Sequence, residues 1–133
     1  MKSTILVVSL AVAGATLGAA EEFPEFIAGM KAVGAGMDVL RKAEKKSGPQ
    51  VVRAAERVAG VYEEMIPFFR QRDAKDAVKL SQEGKSAAAA LASAAFAGDD
   101  AKAEAAFQAL TGTCKGCHST HRERLDNGKY KIK

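Results

Sequence analysis

The chain has 133 residues, with 20 Lys and Arg against 16 Asp and Glu and a formal net charge of +4. That length points to one domain, and the interspersed charges, without a strong basic patch, argue against a nucleic-acid partner. Only two cysteines are present, three residues apart, so no separate pair is left for a structural disulfide.

The first 20 residues stand apart from the rest. Met1-Lys2 gives a positive start, Ile5 to Val12 is apolar apart from Ser9, and Gly18-Ala19-Ala20 offers small residues before Glu21-Glu22. This is the pattern of a secretory signal peptide, and the run is short for a membrane span. The expectation is residues 1–20 as signal and 21–133 as a single exported domain, with no membrane anchor after cleavage. Export, together with the cysteine motif read below, suggests a bacterial periplasm or an equivalent compartment.

Four helices are predicted in 21–133, and no strand apart from the last few residues. The first runs from about Glu22 to Lys46, with Phe23, Phe26, Ile27, Met30, Val33, Met37 and Leu40 spaced mostly three or four apart; Ser47-Gly48-Pro49 stops it. The second starts at Pro49, a good first-turn residue. Val51, Ala55, Val58, Tyr62, Met65 and Phe69 form its stripe. Pro67 is expected to end or kink it, with the regular part finishing near Met65 or Ile66. The third runs from about Asp73 to Ala97 on a stripe of Ala77 or Val78, Ser81, Ala88, Leu91 or Ala92, and Phe96; Gly98 terminates it. Asp99 or Asp100 caps the fourth, whose stripe is Ala103, Phe107, Leu110, Cys114, Cys117 and His121. This helix is expected to end before Asn127-Gly128, leaving Tyr130-Lys131-Ile132 as a short tail. Four helices of about 30 Å with short connections predict an all-α, antiparallel four-helix bundle.

The chemistry sits on the fourth helix. Cys114-Lys115-Gly116-Cys117-His118 reads C-x-x-C-H, the attachment signature of a c-type haem. Two thiols must each add to a vinyl group of one porphyrin, and helical residues i and i+3 project from nearly the same face. His118, next along, brings an imidazole to the iron from that side. The cysteines continue the apolar stripe, so one covalent haem would hang from the inward face of this helix. Two other readings compete with this one. A dithiol redox pair of the thioredoxin kind opens a helix within a βαβ unit, whereas this pair lies late in an all-helical chain. A zinc site of Cys114, Cys117, His118 and His121 would need ligands spread over about 10 Å of one helix to converge on bonds near 2.0–2.3 Å. His121 shares a helix with His118 and cannot reach the opposite face of the same iron; it reads as a partly exposed residue beside the haem edge. Gly112 and Gly116 flank Cys114 inside the helix, where a glycine costs about 1 kcal/mol relative to alanine; close approach of a porphyrin edge and ordinary tolerance both account for them. No catalytic triad, paired acid–base carboxylates or phosphate loop is present, so no enzyme is expected.

A C-x-x-C-H near the end of a four-helix pattern, behind a signal peptide, resembles the class II cytochromes c, the cytochromes c prime and their low-spin relatives. Two segments carry the resemblance. Cys114 to Arg122 is similar to the family's C-x-x-C-H-x-x-aromatic-Arg, with His121 in place of the aromatic. Met30-Lys31-Ala32-Val33-Gly34 looks like its M-K-x-x-G. The resemblance implies that Met30 faces the distal side of the iron and that Arg122 lies near the proximal pocket or the propionates; Arg124 reads as a solvated charge. Phe26 stands where family members often carry a propionate-binding arginine. Met30 then has three roles open to it: sixth iron ligand, a blocker of the sixth position, or core. Met37 and Met65 read as core. The leading expectation is a periplasmic single-electron carrier with His118 proximal and Met30 distal, working with redox partner proteins. The alternative is a five-coordinate haem that binds nitric oxide or carbon monoxide. The resemblance also implies a homodimer built through the first two helices.

Overall fold

The structure, a computed structural model, describes residues 23–133. The expected signal peptide, residues 1–20, lies outside the described residues. Four helices follow in order: α1 (Pro24–Lys42), α2 (Pro49–Gln71), α3 (Lys75–Ala97) and α4 (Asp100–His121). Two short strands, β1 (Arg122–Arg124) and β2 (Tyr130–Ile132), close the chain. The helices form the four-helix bundle expected from the periodicity.

The helix ends have local causes. Pro49 occupies the first turn of α2, behind Gly48 at φ +92°. Gly98 ends α3 in the left-handed conformation that a side chain disfavours. Asp99 caps α4, its Oδ1 accepting from the Lys102 amide at 3.1 Å. α1 stops at Lys42, short of the expected Lys46. The chain turns there and tucks Lys46 back, where its Nζ donates to the Ala43 carbonyl at 2.8 Å and lies 4.9 Å from the centre of the Phe107 ring. The connection between α1 and α2 is thereby pinned to α4.

Three further expectations are corrected. α2 runs through Pro67 to Gln71. Pro67 and Glu63, whose carbonyl loses its partner, are both exposed, so the orphan oxygen lies on the solvent side of the helix. Beyond the proline, Phe68 stacks on Phe26 at 4.4 Å between ring centres and Phe69 meets Phe26 edge-on at 5.4 Å. Those contacts hold the extra turn against α1. Phe96, placed on the α3 stripe, is instead 85% exposed. The inner face at that level is taken by Ala92 and Ala95, which lets α3 approach its neighbours closely. Finally, α4 ends at His121, and the expected tail is the second strand of an antiparallel hairpin pairing Arg122 with Ile132 and Arg124 with Tyr130. Asn127-Gly128 makes its turn, with Gly128 at φ +78° and the Lys129 amide donating to Asn127 Oδ1 at 3.0 Å.

The core runs along the bundle axis. Leu40, Val58, Leu91 and Leu110 are fully buried, one from each helix, and each contributes about 1.5–3 kcal/mol by leaving water. α1 packs on α2, α2 on α3 and α3 on α4. No comparable seam joins α1 to α4. The bundle is thus open along one side.

Candidate haem site

The open side between α1 and α4 is where the C-x-x-C-H motif faces. Two cavities adjoin it. One, of about 120 Å³, is walled by Phe26, Ile27, Met65, Phe69, Cys117 and His121, with Tyr130, Lys131 and Ile132 of the hairpin at its edge. The other is a groove of about 690 Å³, lined by Val33, Gly34 and Met37 of α1 and by Thr111, Lys115 and Ser119 of α4. Five residues line both: Met30, Tyr62, Cys114, His118 and Arg122. The groove is of the size of ordinary cofactor sites, about 300–1,000 Å³, and its α1 wall is apolar except for Arg41 at one end, which is paired with Asp38.

The structure therefore brings together Cys114, Cys117, His118, Met30 and Arg122, all singled out in the sequence. Cys114 and Cys117 are half-buried free thiols packed against the core. Burial, then the Asp76 carboxylate and the Cys114 sulfur, pushes the Cys117 thiol up from its ordinary value. A redox-active dithiol requires the opposite, a stabilised thiolate. His118 is half-buried, and burial followed by the nearby Arg122 guanidinium lowers its pKa. Its imidazole is neutral at pH 7 and free to offer a nitrogen lone pair. Among the described residues no three His, Cys, Asp or Glu side chains are grouped to hold a metal ion by themselves.

Met30 is half-buried on α1 and borders both cavities opposite the motif. Met37 and Met65 are 3% and 4% exposed and belong to the core, as expected. Arg122 begins β1 and lies over the Tyr130 ring at 4.2 Å, which ties the hairpin to the site. Phe26 joins an aromatic cluster with Phe23, Phe68 and Phe69 at that end of the bundle. Gly116 approaches α3: a Cβ there would lie 3.3 Å from Leu80 Cδ2, so close helix packing favours a glycine at this position. Gly112 has open space.

Two site residues escaped the sequence reading. Tyr62 lies on the apolar stripe of α2, but its hydroxyl shares a hydrogen bond with Cys114 Sγ at 3.3 Å. Burial first, then the neighbouring Cys114, pushes its phenol well above the usual range. The signal was there: a tyrosine on a buried stripe needs a partner for its hydroxyl. Asp76 is the other. Its carboxylate lies 2.7 Å from His121 Nε2, and that hydrogen bond holds Asp76 below the ordinary carboxylate range. His121 is thus paired at the edge of the smaller cavity, in keeping with its expected place.

These residues fit a covalently held porphyrin. Two thiols three apart face a largely apolar space, a neutral imidazole follows the second, and the opposing wall carries no carboxylate, its one charge being Arg41. Cys114 and Cys117 would carry the two thioether links and His118 the axial bond. Once Cys114 is alkylated, only the Tyr62 phenol can donate in their shared contact.

Residues 69–122, which span the end of α2 through α4 and the motif, match the family model described as Cytochrome C'. A cytochrome c' from Pararhodospirillum photometricum is 58% identical over 48 residues, 36% of this chain and 35% of that protein. The chain thus spans about a third of that relative's length, and the family-model match leaves out α1. No solved structure matches the chain.

Proposed function

We propose, from the chain's membership of the cytochrome c prime family, that it is an exported monohaem c-type cytochrome with an open distal position. The observation that carries this is the placement of Cys114, Cys117 and His118 on the one unsealed side of the bundle, across from Met30, Val33 and Met37 of α1. Haem c bound there supplies one-electron exchange between ferric and ferrous iron and an axial site for a small ligand. The protein's own part is to hold, bury and orient. His118 supplies the proximal nitrogen, kept neutral by its surroundings. Val33, Met37 and Phe26 exclude water from the distal side. Tyr62 fixes the first attachment point, and Arg122 places a positive charge beside the proximal residue.

Met30 borders the distal space in either reading of its role. The family comparison favours Met30 as a neighbour of the sixth position over Met30 as its ligand, and the groove beside it accommodates a diatomic gas. Five-coordinate gas binding is therefore the preferred reading, with single-electron transfer to redox partners as the second. Neither makes the chain an enzyme. Among the described residues no helix is long and apolar enough to cross a membrane, which is compatible with a periplasmic protein released after cleavage behind residue 20. N-terminal sequencing of the mature chain and its mass in solution test that cleavage and the expected homodimer.

The decisive experiment is absorption spectroscopy of the purified protein in both oxidation states. A high-spin spectrum with carbon monoxide binding on reduction is expected. A methionine–iron charge-transfer band that Met30→Ala abolishes would restore ligation. A mass lacking one haem refutes the proposal entirely.

A further inference from the structure

Charge is unevenly placed along this chain. Residues 115–133 hold six cations, Lys115, Arg122, Arg124, Lys129, Lys131 and Lys133, against two acids, Glu123 and Asp126. The rest of the described chain, 23–114, holds 13 cations against 12 acids. All six cations are exposed, and among the described residues none is within salt-bridge distance of a carboxylate. Only Lys131 has an acid, Glu123, opposite it in the hairpin register. The fold needs no such excess. Cations favour a helix C-terminus, but that effect fades within the last turn, and Arg124, Lys129 and Lys133 lie beyond it. Left alone, like charges on so short a segment repel one another.

The excess also lies over the site. The Lys133 amide donates to the His121 carbonyl at 2.9 Å, folding the hairpin back on the end of α4. Tyr130, Lys131 and Ile132 then form one edge of the smaller cavity. Every charged residue lining either cavity is a cation, and no carboxylate lines them. The hairpin is the thin cover between the site and solvent, and it is positive.

Resting on the haem reading above, we infer that the hairpin face is the docking surface for a redox protein with an acidic surface, and that electrons enter and leave through it. Complementary charge raises encounter rates by about tenfold to a thousandfold at low salt and loses that advantage as salt rises. The test follows oxidation of the reduced full-length protein by two small probes. Ferricyanide, an anion, takes one electron from the ferrous haem and becomes ferrocyanide; tris(phenanthroline)cobalt(III), a cation, takes one electron likewise. Two double variants carry the same change in net charge: Lys129→Glu with Lys133→Glu on the hairpin, and Lys45→Glu with Arg53→Glu at the other end of the bundle. At low ionic strength the hairpin variant should react with ferricyanide roughly tenfold more slowly than the parent, and faster with the cobalt probe. The other variant should stay within about twofold. Poly-L-glutamate should slow the parent but not the hairpin variant. Equal effects of the two variants, or none, overturn the inference. Binding of the parent to phosphatidylglycerol vesicles, lost in the hairpin variant and with ferricyanide rates unchanged, overturns it in favour of a membrane surface. A chain with no reducible chromophore refutes the haem reading and this inference together; a reducible chromophore with equal rates refutes this inference alone.

Discussion

Replacing Gly84 by alanine sets two opposing effects against each other, and the structure decides the sign. Gly84 is buried on α3, facing Tyr62 of α2. A Cβ built there would lie 2.8 Å from Tyr62 Cζ, 3.0 Å from Cε1 and 3.1 Å from Thr113 Oγ1. Tyr62 is only 6% exposed and its hydroxyl is engaged with Cys114, so the ring can yield only towards the cavities it lines, at the expense of that contact. Overpacking of this kind costs about 1–3 kcal/mol, while alanine gains about 1 kcal/mol over glycine in a helix interior. The net result is a loss of up to about 2 kcal/mol. Gly60, exposed on α2, has no atom within 4 Å of its would-be Cβ, and Gly60→Ala should gain about 0.5–1 kcal/mol. For a domain of this size each kcal/mol moves the melting temperature by about 4 °C. Thermal unfolding followed by circular dichroism should therefore place Gly60→Ala a few degrees above the parent and Gly84→Ala several degrees below it. Because the clash pushes Tyr62 towards Cys114, Gly84→Ala should also shift the haem absorption spectrum, and Gly60→Ala should not. Equal melting temperatures with unchanged spectra would show that α2 and α3 do not approach at Gly84 as described.

Leu110→Ala empties a fully buried position on α4 and should cost about 2–5 kcal/mol in denaturant unfolding; a loss under about 1 kcal/mol would mean this seam is not core. Phe96→Ser, at an 85% exposed site, should change stability by less than about 0.5 kcal/mol, and a large loss would return Phe96 to the core. Asp76 has its carboxyl pKa lowered by His121, so the pairing stabilises above the unfolded carboxylate value of about 3.9 and is lost as pH falls through the lower folded value. The stability gap between the parent and Asp76→Asn should accordingly hold from neutrality to about pH 5 and shrink in acid; a gap unchanged into strong acid would remove the pairing from the account. The double variant Cys114→Ala, Cys117→Ala should be exported without haem, bind a hydrophobic dye along the α1–α4 opening and melt over a broad range. A sharp melt at the parent temperature would show that the bundle seals itself.

What could be read along the chain is what local rules control. Helix count, the start of α2 at Gly48-Pro49, the stop at Gly98, the Asp99 cap and the C-x-x-C-H facing inward all depend on residues within a turn of one another, where periodicity and capping act. The same rules misjudged Pro67 and Phe96, because α2 continues on aromatic contacts made with α1 and α3 hides alanines in preference to a phenylalanine. Only the packed structure decided which side of the bundle stays open, that Tyr62 meets Cys114 across 52 positions, that Asp76 meets His121 across 45, and that the last strand covers the site. Such pairings depend on which stripes come to face one another once the connections close. A sequence states the stripes helix by helix, but their matching is a competition among whole packings, settled by close approaches such as Gly84 on Tyr62 and Gly36 on Val58.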